Sequence, residues 1–95
     1  MIKELELIFE GRGDVKGAIF TQIAKSNTAY MYKVTALGTK PYYEVFIKRI
    51  VNLFDYANKI TLEDKKVSYP TTKQFGITAW CYRNKEKADI KFGLL

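Results

Sequence analysis

The amino-acid sequence predicts one α+β domain, in which an antiparallel β-sheet of about five strands is followed by a short C-terminal helix packed on one face. The chain has 95 residues, the length of one domain spanning residues 1–95. Alternating apolar and polar residues recur through much of the chain, and turn residues separate these runs. Helical spacing of apolar residues comes only at the end, after residue 84.

The first third of the chain predicts three strands from a period of two. Residues 3–10 alternate, and residues 11–14 contain the glycines of a tight turn. Residues 17–25 and 28–37 are joined by a short connection, which predicts a hairpin. The alternation places Leu5, Leu7 and Phe9 on one face of the first strand. It also places on one face of the third strand the side chains of Tyr30, Tyr32, Val34 and Ala36.

The middle of the chain predicts the strongest strand, residues 42–51. Residues 52–66 lack a clear period and predict an irregular excursion, and Pro70 limits residues 67–70 to a short edge segment. Residues 74–82 predict the last strand. The faces predicted for residues 42–51 are Tyr42, Glu44, Phe46 and Lys48 on one side and Tyr43, Val45, Ile47 and Val51 on the other.

The C-terminal segment predicts a helix that begins after Asn84, a residue type that caps the free amides of a first turn. Ala88, Phe92 and Leu95 follow at helical spacing, and we expect Ile90 and Leu94 to widen this apolar stripe. So short a helix is marginal by itself, so it must pack against the sheet or against a partner.

Composition excludes several kinds of catalytic and metal site. The chain has no histidine, which rules out Ser-His-Asp and Cys-His catalysis and zinc sites that need imidazole. Its one cysteine, Cys81, can form neither an intrachain disulfide nor a site of four thiolates. Cys81 lies in an apolar strand, so we expect an inert, packed thiol. We therefore expect no metal and no cofactor.

Scattered carboxylates leave one catalytic alternative, a Mg²⁺-dependent nuclease. The acidic residues that this alternative would use fall mostly in predicted loops, and they do not converge on one predicted strand. We therefore expect a protein that is not an enzyme. The residues considered are Asp14, Asp55, Glu63, Asp64 and Asp89.

The charge is basic, with 16 Lys and Arg against 10 Asp and Glu and a formal net charge of +6. Such a surplus attracts polyanions, although soluble domains often carry a net charge of this size. Residues 1–10 contain Lys3, Glu4 and Glu6 where a signal peptide would be apolar. No run approaches the roughly 18 apolar residues of a membrane helix. We expect a cytoplasmic protein that does not bind membranes.

Aromatic and basic residues alternate along the predicted strands, a pattern typical of single-stranded nucleic-acid binding. Aromatic rings stack on bases, and cations neutralise phosphates. We therefore predict a small protein that binds single-stranded DNA or RNA. The predicted stacking residues are Tyr42, Phe46, Trp80 and Tyr82, and the predicted phosphate ligands are Lys33, Lys48, Arg49 and Arg83.

An alternative function fits the same aromatic residues. A sheet with a helix on one face and a protein interface on the other would be aromatic on both sides, because Tyr and Trp are enriched at interfaces. The exposed edges of a small sheet and the short helix are consistent with self-association. The alternative is therefore a structural or interaction module that forms a homo-oligomer or a subunit of a larger assembly.

The run of strands followed by one helix, together with the basic charge, resembles the transcriptional-coactivator family of single-stranded-DNA-binding proteins. The resemblance covers Gly17 to Leu95 and depends on strand order and on the terminal segment Asn84 to Leu95. It implies a dimer formed through the helices, with DNA on the sheet. The leading strand and the excursion at residues 52–66 depart from the family pattern.

Overall fold

The computed structural model describes residues 2–11, 13–55 and 57–95, and these residues form two β-sheets and a C-terminal helix. This arrangement confirms the predicted α+β class and the five-stranded antiparallel sheet with a helix packed on it. The elements are β1 (Ile2–Lys3), β2 (Ile8–Glu10), β3 (Ile19–Lys25), β4 (Ala29–Thr35), β5 (Tyr42–Ile47), β6 (Arg49–Asp55), β7 (Ile60–Ser68), β8 (Ala79–Tyr82) and α1 (Lys85–Gly93).

The larger sheet, called here the main sheet, has the strand order β2-β3-β4-β5-β8 and is antiparallel throughout. Strands β3 and β4 form the predicted hairpin, whose turn is closed by a hydrogen bond of 2.9 Å from the amide of Ser26 to the carbonyl of Ala29. The predicted strand at residues 74–82 is shorter than expected, because Gly76 takes a φ of 95° in a turn and β8 begins only at Ala79.

A second sheet, which the sequence did not predict, has the order β1-β7-β6, with β1 parallel to β7 and β6 antiparallel to it. The prediction of an irregular excursion at residues 52–66 is wrong, because β6 and β7 form a hairpin there. Side chains such as Asn52, Lys65 and Lys66 are exposed. A hairpin that buries few of its side chains lacks the apolar alternation by which strands are recognised.

The predicted long strand at residues 42–51 changes sheets in its middle. Strand β5 ends at Ile47, and β6 begins at Arg49 in the second sheet. Between them the amide of Lys48 donates to the carbonyl of Thr28, 2.8 Å away. The period of two continues across this corner, so the sequence pattern does not distinguish one long strand from two. The predicted first strand, residues 3–10, is likewise divided into β1 and β2.

The main sheet packs its inner face, defined by Phe20, Tyr30, Tyr32, Val34 and Phe46, into an aromatic core. All five side chains are fully buried, and Val67 of the second sheet joins the same cluster. The rings of Tyr32 and Phe46 stack with centroids 5.8 Å apart. The burial of Tyr30, Tyr32 and Val34 confirms the face predicted from their alternation.

Helix α1 packs on the opposite, helix-bearing face, where Met31, Val45 and Ala88 form a second buried cluster. The side chain of Asn84 accepts hydrogen bonds from the amides of residues 86 and 87, at 2.7 and 3.2 Å, which confirms the predicted cap. The prediction that Ile90 and Leu94 widen the buried stripe is wrong, because they lie on the solvent side at 66% and 75% exposure. No helix in the described ranges is long and apolar enough to cross a membrane.

Candidate nucleic-acid interface

The eight residues predicted to bind nucleic acid lie on separate surfaces of the structure. Lys33, Trp80 and Tyr82 belong to the helix-bearing face of the main sheet, as the strand pairing requires. Tyr42 and Phe46 belong to the inner face. The remaining three are Lys48 at the corner between the sheets, Arg49 at the start of β6 and Arg83 just after β8.

Phe46 and Tyr42 are part of the aromatic core. Phe46 is 0% exposed and stacks on Tyr32, so it offers no ring face to a base in this structure. Tyr42 is half-buried and packs against the same core, opposite Val34 on the neighbouring strand. The predicted stacking surface is therefore corrected, because it does not include these two rings. The physical reason is that the second sheet and the segment after it cover the inner face.

Lys48 makes structural contacts at the corner between the sheets. Its Nζ donates to Oε1 of Glu4 at 2.7 Å and lies 5.1 Å from the ring centroid of Tyr30. The hydrogen bond from Lys48 is the main reason that the pKa of Glu4 lies below its usual value. Its side chain is only 14% exposed, so Lys48 joins the N-terminal segment to the main sheet and is poorly placed for a phosphate. Arg49 is exposed, but it lies in the second sheet.

The helix-bearing face brings together residues from four strands in one cross-strand row. The register pairs Tyr82 with Tyr43, Tyr43 with Lys33, and Lys33 with Thr21. Directly opposed side chains on neighbouring strands lie on the same face of a sheet and touch. We call these four residues the tyrosine–lysine row. All of them are half-buried, and Tyr43 and Tyr82 pack against the buried cluster that includes Ala88 of α1.

Tyr43 is the aromatic member of this row that the sequence does not predict, and Thr21 is not predicted either. Alternation assigns Tyr43 to an apolar face with Val45 and Ile47, and the sequence predicts a binding role for Tyr42 instead. The two tyrosines are consecutive and therefore point to opposite faces. Only the pairing of β4 with β5 shows that Tyr43, and not Tyr42, lies opposite Lys33.

Trp80 lies on β8 two residues before Tyr82, on the same face and opposite Val45. The ammonium group of Lys91 lies over the ring of Trp80, with its Nζ 3.8 Å from the ring centroid. This distance is well within the range of a cation–π contact. Lys91 comes from the last turn of α1, so the contact fastens the end of the helix to the edge of the sheet.

Charge on the helix-bearing face is mixed at its margins and basic in its middle. Glu10 of β2 pairs with Ile19 and so points to this face, and Glu86 lies in the first turn of α1. In the described residues of β3, β4, β5 and β8, the alternation assigns no acidic side chain to this face. Lys33 contributes a cation within the row. The exposed Arg83 follows Tyr82 directly, but its charge acts on the inner-face residues Tyr42 and Cys81. On the helix, Asp89 is engaged by Lys85 at 3.0 Å. The middle of the face therefore combines half-exposed aromatic rings with the positive charge of Lys33.

The structure brings together no group of three His, Cys, Asp or Glu residues that could hold a metal ion, within the part of the chain that it describes. The side chains of four acidic residues considered for a nuclease, Asp14, Asp55, Glu63 and Asp64, lie outside that part. Cys81 is exposed on the edge strand β8, so the prediction of a packed thiol is wrong. Desolvation of the sulfur and the nearby Glu44 raise the pKa of the Cys81 thiol, which disfavours the reactive thiolate.

Comparisons of this chain with protein-family models, with curated proteins and with solved structures found no match. The resemblance to the transcriptional-coactivator family therefore stays a prediction.

Proposed function

We propose that this chain is a small, non-enzymatic protein that binds single-stranded nucleic acid on its helix-bearing face. The observation that carries the proposal is the tyrosine–lysine row, in which Tyr82, Tyr43 and Lys33 are adjacent on three neighbouring strands. Surfaces of this kind bind single strands because every base has a ring face that can stack on an aromatic side chain.

The expected energetics combine stacking with phosphate contacts. A stacked base contributes about 1–3 kcal/mol, so two tyrosines in a row can support binding without sequence preference. Lys33 within the row supplies positive charge that phosphates require, and the exposed Arg83 adds charge at the end of β8. The net charge of +6 increases the rate of encounter with any polyanion.

Fluorescence anisotropy with a labelled oligothymidine tests the proposal. We expect Tyr82→Leu to weaken binding by about tenfold, because it removes a stacking ring and keeps an apolar side chain. We expect Lys33→Gln to lower the slope of log K against log salt by about 0.7, the value for one phosphate contact. Lys16→Gln removes one exposed charge from the turn before β3 and is the matched control. No binding at low salt, or equal losses in Lys33→Gln and Lys16→Gln, would overturn the proposal.

A location in the cytoplasm fits this proposal. A chain with a single cysteine gains nothing from an oxidising compartment, because it has no second thiol for an intrachain disulfide. Fractionation of cells that produce a tagged chain would test the location directly.

A second candidate function is self-association, and one observation favours it. Helix α1 covers the part of the helix-bearing face that β4, β5 and β8 form. On the uncovered part of this face, Ile8 of β2 and Ile19 of β3 remain 63% and 41% exposed. A second copy of the chain would bury these side chains. Sedimentation velocity should detect a dimer that Ile19→Asp dissociates, whereas the control Ile77→Asp, in the turn before β8, should leave it intact. A strict monomer at high protein concentration would contradict this function.

A further inference from the structure

A buried carboxyl group forms part of the lining of a cleft on the inner face of the main sheet. The carboxyl group belongs to Glu44 of β5, which is only 4% exposed. The cleft has a volume of about 490 Å³, and Tyr69 and Phe75 contribute aromatic walls while Thr71 and Thr72 contribute part of the remaining wall. Pockets for small ligands commonly range from about 300 to 1,000 Å³.

Among the residues that the structure describes, the surroundings of Glu44 contain a hydrogen-bond donor but no cation. The hydroxyl of Tyr69 donates to Oε1 of Glu44. None of the described residues that line the cleft is a lysine or an arginine. Burial is the main cause that raises the pKa of Glu44, and the hydrogen bond from Tyr69 only partly offsets it. The described lining of the cleft therefore offers the carboxylate form of Glu44 no matching charge.

A ligand that carries a positive charge would supply what this site lacks. A buried carboxylate is unfavourable unless a cation or several donors accompany it. Aromatic walls add attraction for ammonium and guanidinium groups, because the ring faces carry negative electrostatic potential. From this geometry we propose that the cleft binds a small organic cation through an ammonium or guanidinium group, with Glu44 as its counter-ion.

This inference is independent of the proposed nucleic-acid interface. Glu44 and Tyr43 are consecutive residues of β5 and point to opposite faces, so the cleft and the tyrosine–lysine row lie on opposite sides of the main sheet. A substitution in one site leaves the other site's side chains in place. The failure of either proposal can therefore be recognised without the other.

Binding should depend on pH through Glu44. Because the cation favours the carboxylate form, binding should release a proton and should become tighter as pH rises through the pKa of Glu44. The other titratable groups that face this carboxyl are Tyr32 on β4, Tyr42 on β5, Tyr69 after β7 and Cys81 on β8. Their pKa values are all raised, so they stay neutral in the range where Glu44 ionises. Arg83 acts on Tyr42 and Cys81 at the edge of this group.

Amide chemical shifts measured during titration of the full chain test the proposal with a matched pair of probes. The probes are n-butylguanidinium and n-butylurea, which have similar shapes and differ in charge. We expect the guanidinium probe to shift the amides of Gly13, Phe75 and other residues around the cleft, and the urea to bind at least about tenfold more weakly. Comparable affinity for both probes, or no shift in these amides, would overturn the proposal.

Glu44→Gln provides the matched variant, because the amide keeps the shape of the side chain and can still accept from Tyr69. We expect it to weaken guanidinium binding by at least about tenfold and to abolish the pH dependence. Lys33→Gln should leave guanidinium binding unchanged, and Glu44→Gln should leave oligothymidine binding unchanged. Full retention of guanidinium binding by Glu44→Gln would contradict the assignment of Glu44 as the counter-ion.

The same titration distinguishes two sources of the cation. An arginine-containing tripeptide presents the guanidinium group on a chain, whereas n-butylguanidinium presents it alone. Tighter binding of the tripeptide assigns the cleft to a side chain of another protein. Equal or weaker binding assigns it to a free small molecule.

Discussion

The hydroxyl group of Tyr69 donates a hydrogen bond to the carboxyl group of Glu44, although the two residues are 25 positions apart in the chain. Tyr69 directly follows β7 of the second sheet, and Glu44 lies on β5 of the main sheet. The hydrogen bond therefore connects the two sheets at the one buried carboxyl group among the described residues.

The buried Glu44 makes the stability of the fold depend on pH. Because its pKa is raised on folding, its contribution to stability is complete below the unfolded value of 4.5 and is lost as pH rises through the folded value. We expect Glu44→Gln to increase the free energy of unfolding at pH 8 by on the order of 1 kcal/mol, because it removes the buried charge. The gain should vanish near pH 4. Urea denaturation of both proteins at each pH measures this gain. The same gain at both pH values would contradict the prediction.

The ion pair between Glu4 and Lys48 should have the opposite dependence on pH. The pKa of Glu4 is lowered on folding, so its contribution is present above the unfolded value of 4.5 and is lost as pH falls through the folded value. We expect Glu4→Gln to lower the free energy of unfolding at pH 7 and to have little effect at pH 3. The loss should be at most about 1 kcal/mol, as for partly exposed pairs.

The neighbouring Glu6 provides the control for this experiment. Glu6 accepts a hydrogen bond from Tyr32 through its backbone carbonyl, at 2.7 Å, so a change in its side chain leaves that contact in place. We expect Glu6→Gln to have little effect at either pH. Equal effects of Glu4→Gln and Glu6→Gln would show that net charge, and not the ion pair with Lys48, is responsible.

The contact between Lys91 and Trp80 should be visible in fluorescence. Trp80 is the single tryptophan of the chain, so the emission reports on this site alone. We expect Lys91→Met to change the emission maximum or intensity and to lower the free energy of unfolding by about 0.5–1 kcal/mol. Lys87→Met, one turn earlier on α1, is the matched control. An unaltered spectrum in Lys91→Met would contradict the cation–π contact.

The cap at Asn84 should control how firmly α1 docks. Its side chain accepts two amide hydrogen bonds from the first turn, so Asn84→Ala should lower the free energy of unfolding by about 1 kcal/mol. Asn84→Asp keeps an accepting oxygen and should restore most of the loss. Hydrogen exchange of the amides of residues 86 and 87 gives a local measurement, and unchanged protection in Asn84→Ala would contradict the role of the cap.

The sequence alone predicted the elements whose side chains alternate between a buried and a less buried face. The hairpin of β3 and β4, the buried face of Tyr30, Tyr32 and Val34, and the cap at Asn84 are all recovered in the structure. These features depend on residues close together in the chain, or on a period of two that a strand imposes on its own residues.

The candidate site was predicted only in part. Lys33, Trp80 and Tyr82 share the helix-bearing face, but Phe46 is in the core and Tyr43 was missed. Alternation separates the two faces of one strand, and it does not say which face of one strand matches which face of the next. That match requires the register between strands.

The local sequence thus determined the α+β class, the strands that carry the core and the beginning of the helix, because alternation and capping act over a few residues. Only the tertiary structure decided that the chain turns into a second sheet at Lys48, and that this sheet covers one aromatic face and leaves Tyr43 and Tyr82 half-exposed on the other. The physical reason is that burial depends on which distant segments pack together. The contact between Glu44 and Tyr69, which belong to different parts of the chain, illustrates it.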